Sequence, residues 1–252
     1  MNDTDPTILK ISGLSKSFGK YAVLTDVNYS LQKAEIAAII GPNGAGKTTF
    51  FNLITGYHNA DSGTVLFQGR AITDWPRHRI ARAGISRAFQ VSNIYPRLTT
   101  YENVRQAILA QKKRTLDIFT PASGLAREST LELLELTGLL PNRDTVAGIL
   151  SQGDKKKLEL ALALAGKPEM LLLDEPTAGM SSEETHETME LVKRLNAQIG
   201  LTILFTEHDI SVIFGYARKL SVLYQGILIA EGTPEEVRRN EEAQRCYLGE
   251  DI

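Results

Sequence analysis

The residues best suited to chemistry stand at Gly41 to Thr48, in the order GPNGAGKT. Two glycines five apart, followed by Lys and then Ser or Thr, form the phosphate-binding loop pattern. Gly41, Gly44 and Gly46 let the backbone bend tightly and approach a phosphate with no Cβ in the way. Pro42, Asn43 and Ala45 complete the loop, whose amide N–H groups would point inward. Lys47 supplies a mobile cation for the β- and γ-phosphates of a nucleotide, and the Thr48 hydroxyl is placed to ligate Mg²⁺. Thr49 continues into a helix whose positive dipole end adds to the anion site.

Two further stretches carry polar groups in a chemical arrangement. Asp174 and Glu175 follow the apolar run Met170-Leu171-Leu172-Leu173, at the end of a strand where open parallel sheets bind ligands. Asp174 would hold Mg²⁺ through water, and Glu175 would orient or deprotonate an attacking water. Leu150-Ser151-Gln152-Gly153-Asp154 precedes an apolar-faced helix. Ser151 and Asp154 have capping-box spacing. Ser151 and the Gly153 amide could form an anion site at that helix N-terminus.

These groups need a scaffold. Ile36 to Ile40 is a short apolar run, as a buried parallel strand should be, and Thr49 to Ile54 reads as a helix stopping at Gly56. Residues 8 to 35 read as strands around a turn at Ser17 to Tyr21, with Ile8, Lys10 and Ser12 alternating against Leu9, Ile11 and Gly13. Thr64 to Phe67 and Ala71-Ile72 make a second antiparallel pair. Pro76 to Ala83 reads as a helix, and Ile85 to Gln90 as a strand. Five arginines fall between Arg70 and Arg87, with Asp74 the only acid; a solvated helix face is the favoured reading over an anion patch.

Residues 91 to 165 read as helical, with a polar, breaker-rich loop at Lys112 to Gly124 and an amphipathic helix at Ala126 to Thr137. After Pro168 the α/β alternation returns: a helix from Ser182 to Ala197, a strand from Leu201 to Phe205, a short helix at Ile210 to Gly215, strands at Arg218 to Tyr224 and Ile227 to Ala230, and a last helix beginning at Pro234 to Asn240. The pattern predicts an α/β core at 1–90 and 166–252, with a helical subdomain inserted at 91–165.

Composition narrows the class. A chain of 252 residues allows one large domain, or a domain with a subdomain. Net charge −2 gives no global sign of nucleic-acid binding. Cys246 is the single cysteine, which excludes an intrachain disulfide and points to a reducing compartment. MNDTDPTILK is polar and acidic, unlike a secretory signal. No apolar run approaches the roughly 18 residues that span a bilayer, so work at a membrane would need other chains.

Taken in order, the phosphate loop, Gln90, LSQGD, LLLDEP and His208 resemble the ATP-binding subunit of ABC transporters over nearly the whole chain. The resemblance implies a P-loop NTPase (RecA-like) core with an antiparallel β lobe and an inserted α-helical subdomain. It implies ATP and Mg²⁺ as cofactors, and a role for Gln90 in sensing Mg²⁺ and water and coupling to membrane subunits. His208 matches the switch histidine near the γ-phosphate. Phe18 matches the aromatic that stacks on adenine, with Tyr21 as the competing candidate. Ser151 and Gly153 match the phosphate-facing positions of the LSGGQ signature, although Gln152 and Asp154 depart from it. Ser181 replaces the D-loop aspartate.

Implied partners are a second ATP-binding subunit, the same or paralogous, in head-to-tail pairing; two membrane permeases; and, indirectly, a periplasmic or extracellular solute receptor. The implied location is the cytoplasmic face of the cell membrane. More narrowly, the chain is similar to branched-chain (hydrophobic) amino-acid uptake ATPases, through LLLDEPTAGM, FTEHD and Tyr247-Leu248-Gly249. Urea or amide importers and lipopolysaccharide-export ATPases are the alternatives. A non-transport ABC ATPase acting on DNA or the ribosome fits less well, because the chain has one cassette, one cysteine and no heptads.

Overall fold

The computed structural model describes residues 6–88, 94–111 and 126–248. Gln90, the 112–124 loop and Gly249 lie outside the described residues. The chain opens with a long hairpin, β1 (Thr7–Phe18) and β2 (Tyr21–Gln32). Only Gly19 and Lys20 form its turn, so Ser17, Phe18 and Tyr21 belong to the strands, with Phe18 paired to Tyr21 at the tip. The alternation expected at the start of β1 breaks: Ile8 and Leu9 are both buried, beside an irregular register between Thr7 and Leu9.

Next come β3 (Ile36–Ile40), α1 (Lys47–Ile54), β4 (Ser62–Phe67), β5 (Arg70–Ala71), α2 (Arg77–Ala83) and β6 (Ile85–Ala88). The helices α3 (Thr100–Gln111), α4 (Arg127–Leu136) and α5 (Gln152–Leu164) follow. The second half brings β7 (Met170–Asp174), α6 (Ser182–Ile199), β8 (Thr202–Thr206), α7 (Ile210–Tyr216), β9 (Lys219–Tyr224) and β10 (Ile227–Gly232). The expected single last helix is divided: α8 (Pro234–Arg238) ends before Asn240, which caps a new short helix, α9 (Glu241–Ala243). An Asn that bonds the Ala243 amide restarts the helix rather than continuing it.

Two sheets result. One is antiparallel, in the order β2-β1-β4-β5; the other runs β10-β9-β3-β8-β7-β6 and is parallel except for β10. The central strands carry continuous apolar runs because both of their faces are covered. Side chains alternate across a strand, and the cores divide accordingly. Ala37, Ile39, Met170, Leu172 and Leu204 join the core around α1 and the antiparallel lobe, built on Phe50, Phe51 and Phe67. Ile36, Ala38, Ile40, Leu171, Leu173, Ile203 and Phe205 join the core under α6 and α7.

A third cluster gathers Val104, Ile108, Leu134, Leu158 and Ala161 from α3, α4 and α5, with Leu139 from the turn after α4. Helix α5 also sends Leu160 and Leu164 into the core under α6, so it ties the helical segment to the parallel sheet. Among the described residues no helix is long and apolar enough to cross a membrane.

Candidate active site

The loop from Gly41 to Gly46 leaves the C-terminal end of β3, in the middle of the parallel sheet. β8 runs directly beside β3, and β7 lies beyond it. The ends of these three strands therefore converge. Close packing dictates two of the loop glycines. A Cβ on Gly41 would run into the Leu223 carbonyl, and one on Gly46 would meet the Val23 carbonyl and the Leu24 side chain. Both residues also have positive φ, at 156° and 108°. Ala45 is buried, Pro42 half-buried, and Asn43 and Gly44 are exposed at the tip.

The turn at Gly226, between β9 and β10, ties this loop to the antiparallel lobe. Its N–H donates to the Ala45 carbonyl at 3.0 Å, and its carbonyl accepts the Thr25 N–H at 2.9 Å. A Cβ on Gly226 would strike the Val23 carbonyl. Gly226 thus holds the loop against β2, a role the sequence did not reveal.

Lys47, the first residue of α1, folds back over the loop and donates to the carbonyls of Gly41 and Pro42, the latter at 3.2 Å. Burial pulls its ammonium below the usual lysine range, against the opposing effect of the Glu175 and Asp174 carboxylates. Those two acids lie near enough to act on the Lys47 charge. Thr48 is exposed and Thr49 half-buried on the first turn of α1.

Asp174 closes β7 in a polar network. The Thr206 hydroxyl, at the end of β8, donates to its Oδ1 at 2.8 Å and accepts the Glu175 N–H at 3.2 Å. The Arg87 guanidinium lies 2.6 Å from its Oδ2 and also donates to Asn52 Oδ1 at 2.7 Å. One of the five arginines thus departs from the expected solvated face: Arg87 points inward from β6, where a charge needs a partner. Arg77 and Arg79 do lie on exposed positions, stacked over Tyr57 and Trp75.

Glu175 has φ 51°, an unusual backbone for a residue with a side chain, of the kind that clusters at functional sites. Its Oε1 lies 2.9 Å from His208 Nε2, and both side chains are open to solvent. Asp209 then caps α7 through the Ser211 amide at 2.8 Å, which fixes the turn just after His208.

Ser151 and Gly153 do not join this cluster. Ser151 caps α5 by accepting the Asp154 N–H at 3.1 Å. The expected reciprocal half of the capping box is absent, because the Asp154 carboxylate instead accepts Asn142 Nδ2 at 2.9 Å and pairs with Lys157. The Gly153 amide meets the Glu184 carboxylate at the head of α6. Ser181 caps α6 in a full capping box with Glu184. Phe18 and Tyr21 sit at the hairpin tip; Phe18 makes an edge contact with His58 at 5.2 Å, while Tyr21 is 80% exposed.

The donor set fits a cation carried in with a nucleotide. Asp174 and Thr48 offer two oxygen-bearing side chains, and among the described residues no group of three or more His, Cys, Asp or Glu side chains forms a metal cage. Mg²⁺ characteristically uses one or two protein ligands plus phosphates and waters.

Comparison with known proteins agrees with this geometry. The ABC transporter family model matches residues 24–178, and the C-terminal model of branched-chain amino acid ATP-binding cassette transporters matches 228–252. The chain is 38% identical to the high-affinity branched-chain amino acid transport ATP-binding protein LivG of Escherichia coli K12, over 96% of this chain and 98% of that one. It superposes on the ADP conformation of MJ1267, an ATP-binding cassette of an ABC transporter, with TM-score 0.87 at 32% identity, covering 97% and 99% of the two chains. It also resembles the dimeric post-hydrolysis state of the cassette MJ0796 bound to ADP and Pi, with TM-score 0.75 at 27% identity, covering 90% and 98%. A lipopolysaccharide-export assignment has less support, since the matched C-terminal model is the branched-chain one. With its mixed α/β P-loop NTPase fold, the chain belongs to the ABC transporter family of ATP-binding cassettes.

Proposed function

We propose that this chain binds and hydrolyses MgATP to power uptake of branched-chain or other hydrophobic amino acids through separate membrane permeases. The observation that carries the reading is the convergence of Lys47, Asp174, Glu175 and His208 at the ends of β3, β7 and β8. The substrate class rests on the relatives and on the match at 228–252.

In this reading the loop amides and Lys47 hold the β- and γ-phosphates, so Lys47 exchanges two carbonyl partners for phosphate oxygens. Thr48, Asp174 and Gln90 would hold Mg²⁺, which would supply charge neutralisation at the phosphates. Glu175 takes the proton from the attacking water, and His208 orients Glu175 and the γ-phosphate. Phe18 offers a face to adenine, with Tyr21 as the competing candidate.

Ser151 and Gly153 complete the site of a second, identical or paralogous subunit, and residues 91–165 act as the subdomain that carries them. Two such subunits close over two MgATP, because the closed state makes contacts with the γ-phosphate that the open state lacks. They work at the cytoplasmic face of the membrane, with a solute receptor on the far side and no nucleic acid. Reconstitution in proteoliposomes with branched-chain amino-acid permease subunits tests the reading. Leucine or isoleucine uptake that requires ATP supports it; uptake of urea or short amides alone overturns the substrate class.

A further inference from the structure

Glu207 is a buried carboxylate, 4% exposed, directly after the apolar strand β8. A carboxylate in such a place is costly unless it is fully satisfied. Its Oε1 accepts both the N–H and the hydroxyl of Thr177, at 2.9 and 2.6 Å, and its Oε2 accepts the His208 N–H at 3.1 Å. Thr177 is itself buried and lies two residues beyond Glu175. The same short loop turns back on itself, the Ala178 N–H donating to the Glu175 carbonyl at 3.2 Å. One carboxylate therefore ties the loop that carries Glu175 to the loop that carries His208.

We infer that Glu207 is a positioning residue that sets the relation between Glu175 and His208. Glu175 holds a left-handed backbone, φ 51°, and such a conformation persists only where its surroundings over-determine it. Glu207 supplies that restraint on one side through Thr177, and on the other it fixes the backbone from which the imidazole projects. Both groups it aligns are solvent-facing, so neither is held by packing of its own. Charge-assisted hydrogen bonds are the strong kind and suit a rigid link. A small error in placing a catalytic group costs a large factor in rate.

The chemistry of the carboxylate makes the idea separable from simple fold maintenance. Glu207→Gln is nearly isosteric. If its carbonyl keeps both Thr177 bonds, its NH₂ faces the His208 N–H, donor against donor. The amide would therefore hold one loop and release the other. Thr177→Val removes one hydroxyl bond and leaves the contact with His208.

This rests on the roles given to Glu175 and His208 above, so Glu175→Gln serves as the control. The test compares steady-state ATP hydrolysis, affinity for a fluorescent ATP analogue, Tm, and the ring-nitrogen shifts of His208 in the nucleotide-free chain. For Glu207→Gln the expected result is kcat lowered roughly 10- to 100-fold, with KM and nucleotide affinity within about twofold. The His208 shifts move and Tm stays within a few degrees. Thr177→Val lowers kcat less, again without a change in KM, and covers the case in which Glu207→Gln fails to fold. Parental kcat in Glu207→Gln beside an inactive Glu175→Gln overturns the positioning role alone. Losses of kcat, affinity and Tm together in both variants overturn it as well, by showing a structural part only. Normal hydrolysis by Glu175→Gln overturns the underlying reading instead.

Discussion

Arg87 and Asp174 form an ion pair at 2.6 Å, with both side chains largely buried. The carboxylate that would help hold Mg²⁺ thus already carries a counter-charge supplied by β6. The pair links the short strand β6 to the end of β7. Removing one partner of a buried pair strands the other and typically costs about 3–5 kcal/mol. Arg87→Met should therefore lower the urea midpoint of the nucleotide-free chain, with part of the loss recovered in Mg²⁺, which replaces the missing cation. An unchanged midpoint would show that solvent satisfies Asp174 without Arg87.

Gly226 joins the phosphate loop to the lobe, with φ 80° and no room for a Cβ. Gly226→Ala must strain the backbone and push β2 away from Ala45. We expect a stability loss of at least about 1 kcal/mol together with weaker nucleotide binding, read by denaturation and by titration with a fluorescent ATP analogue. Full affinity in a destabilised variant would mean the turn matters for the fold but not for the loop.

Acid should weaken the fold through its helix caps. The N–H and hydroxyl of Thr99, Ser181 and Thr233 hold the carboxyls of Glu102, Glu184 and Glu236 below the usual glutamate range. A folded pKa below the unfolded value, about 4.3, means that the stabilisation is complete above that pH. It is lost as pH falls through the folded values. Replacing the three with Gln, which retains a capping partner without charge, should flatten the fall in urea midpoint below about pH 4.3. Parallel curves for parent and variant would remove the caps from the account.

Legibility followed periodicity and motif. β3, β7 and β8 were readable because strands covered on both faces carry continuous apolar runs, Ile36–Ile40, 170–173 and 203–205. Lys47 was singled out by the phosphate-loop pattern and Asp174 and Glu175 by the apolar run before them, while His208 was singled out only through the family resemblance. Arg87 was hidden among neighbouring arginines; its signal was a charge two residues into the short strand after Gly84. Glu207 and Gly226 gave no comparable sign, since their partners Thr177, Ala45 and Thr25 are distant in sequence. The last helix was misjudged because Asn240 works as a cap, which a helical pattern alone does not distinguish from a surface residue.

The most direct measurement is single-turnover ATP hydrolysis by Glu175→Gln at saturating MgATP, with the oligomeric state followed by size-exclusion chromatography. If Glu175 is the base and two cassettes close over the nucleotide, binding persists, the rate falls about 10²- to 10⁴-fold, and a nucleotide-filled dimer accumulates. Hydrolysis at the parental rate, or an ATP-bound variant that stays monomeric, would contradict the account.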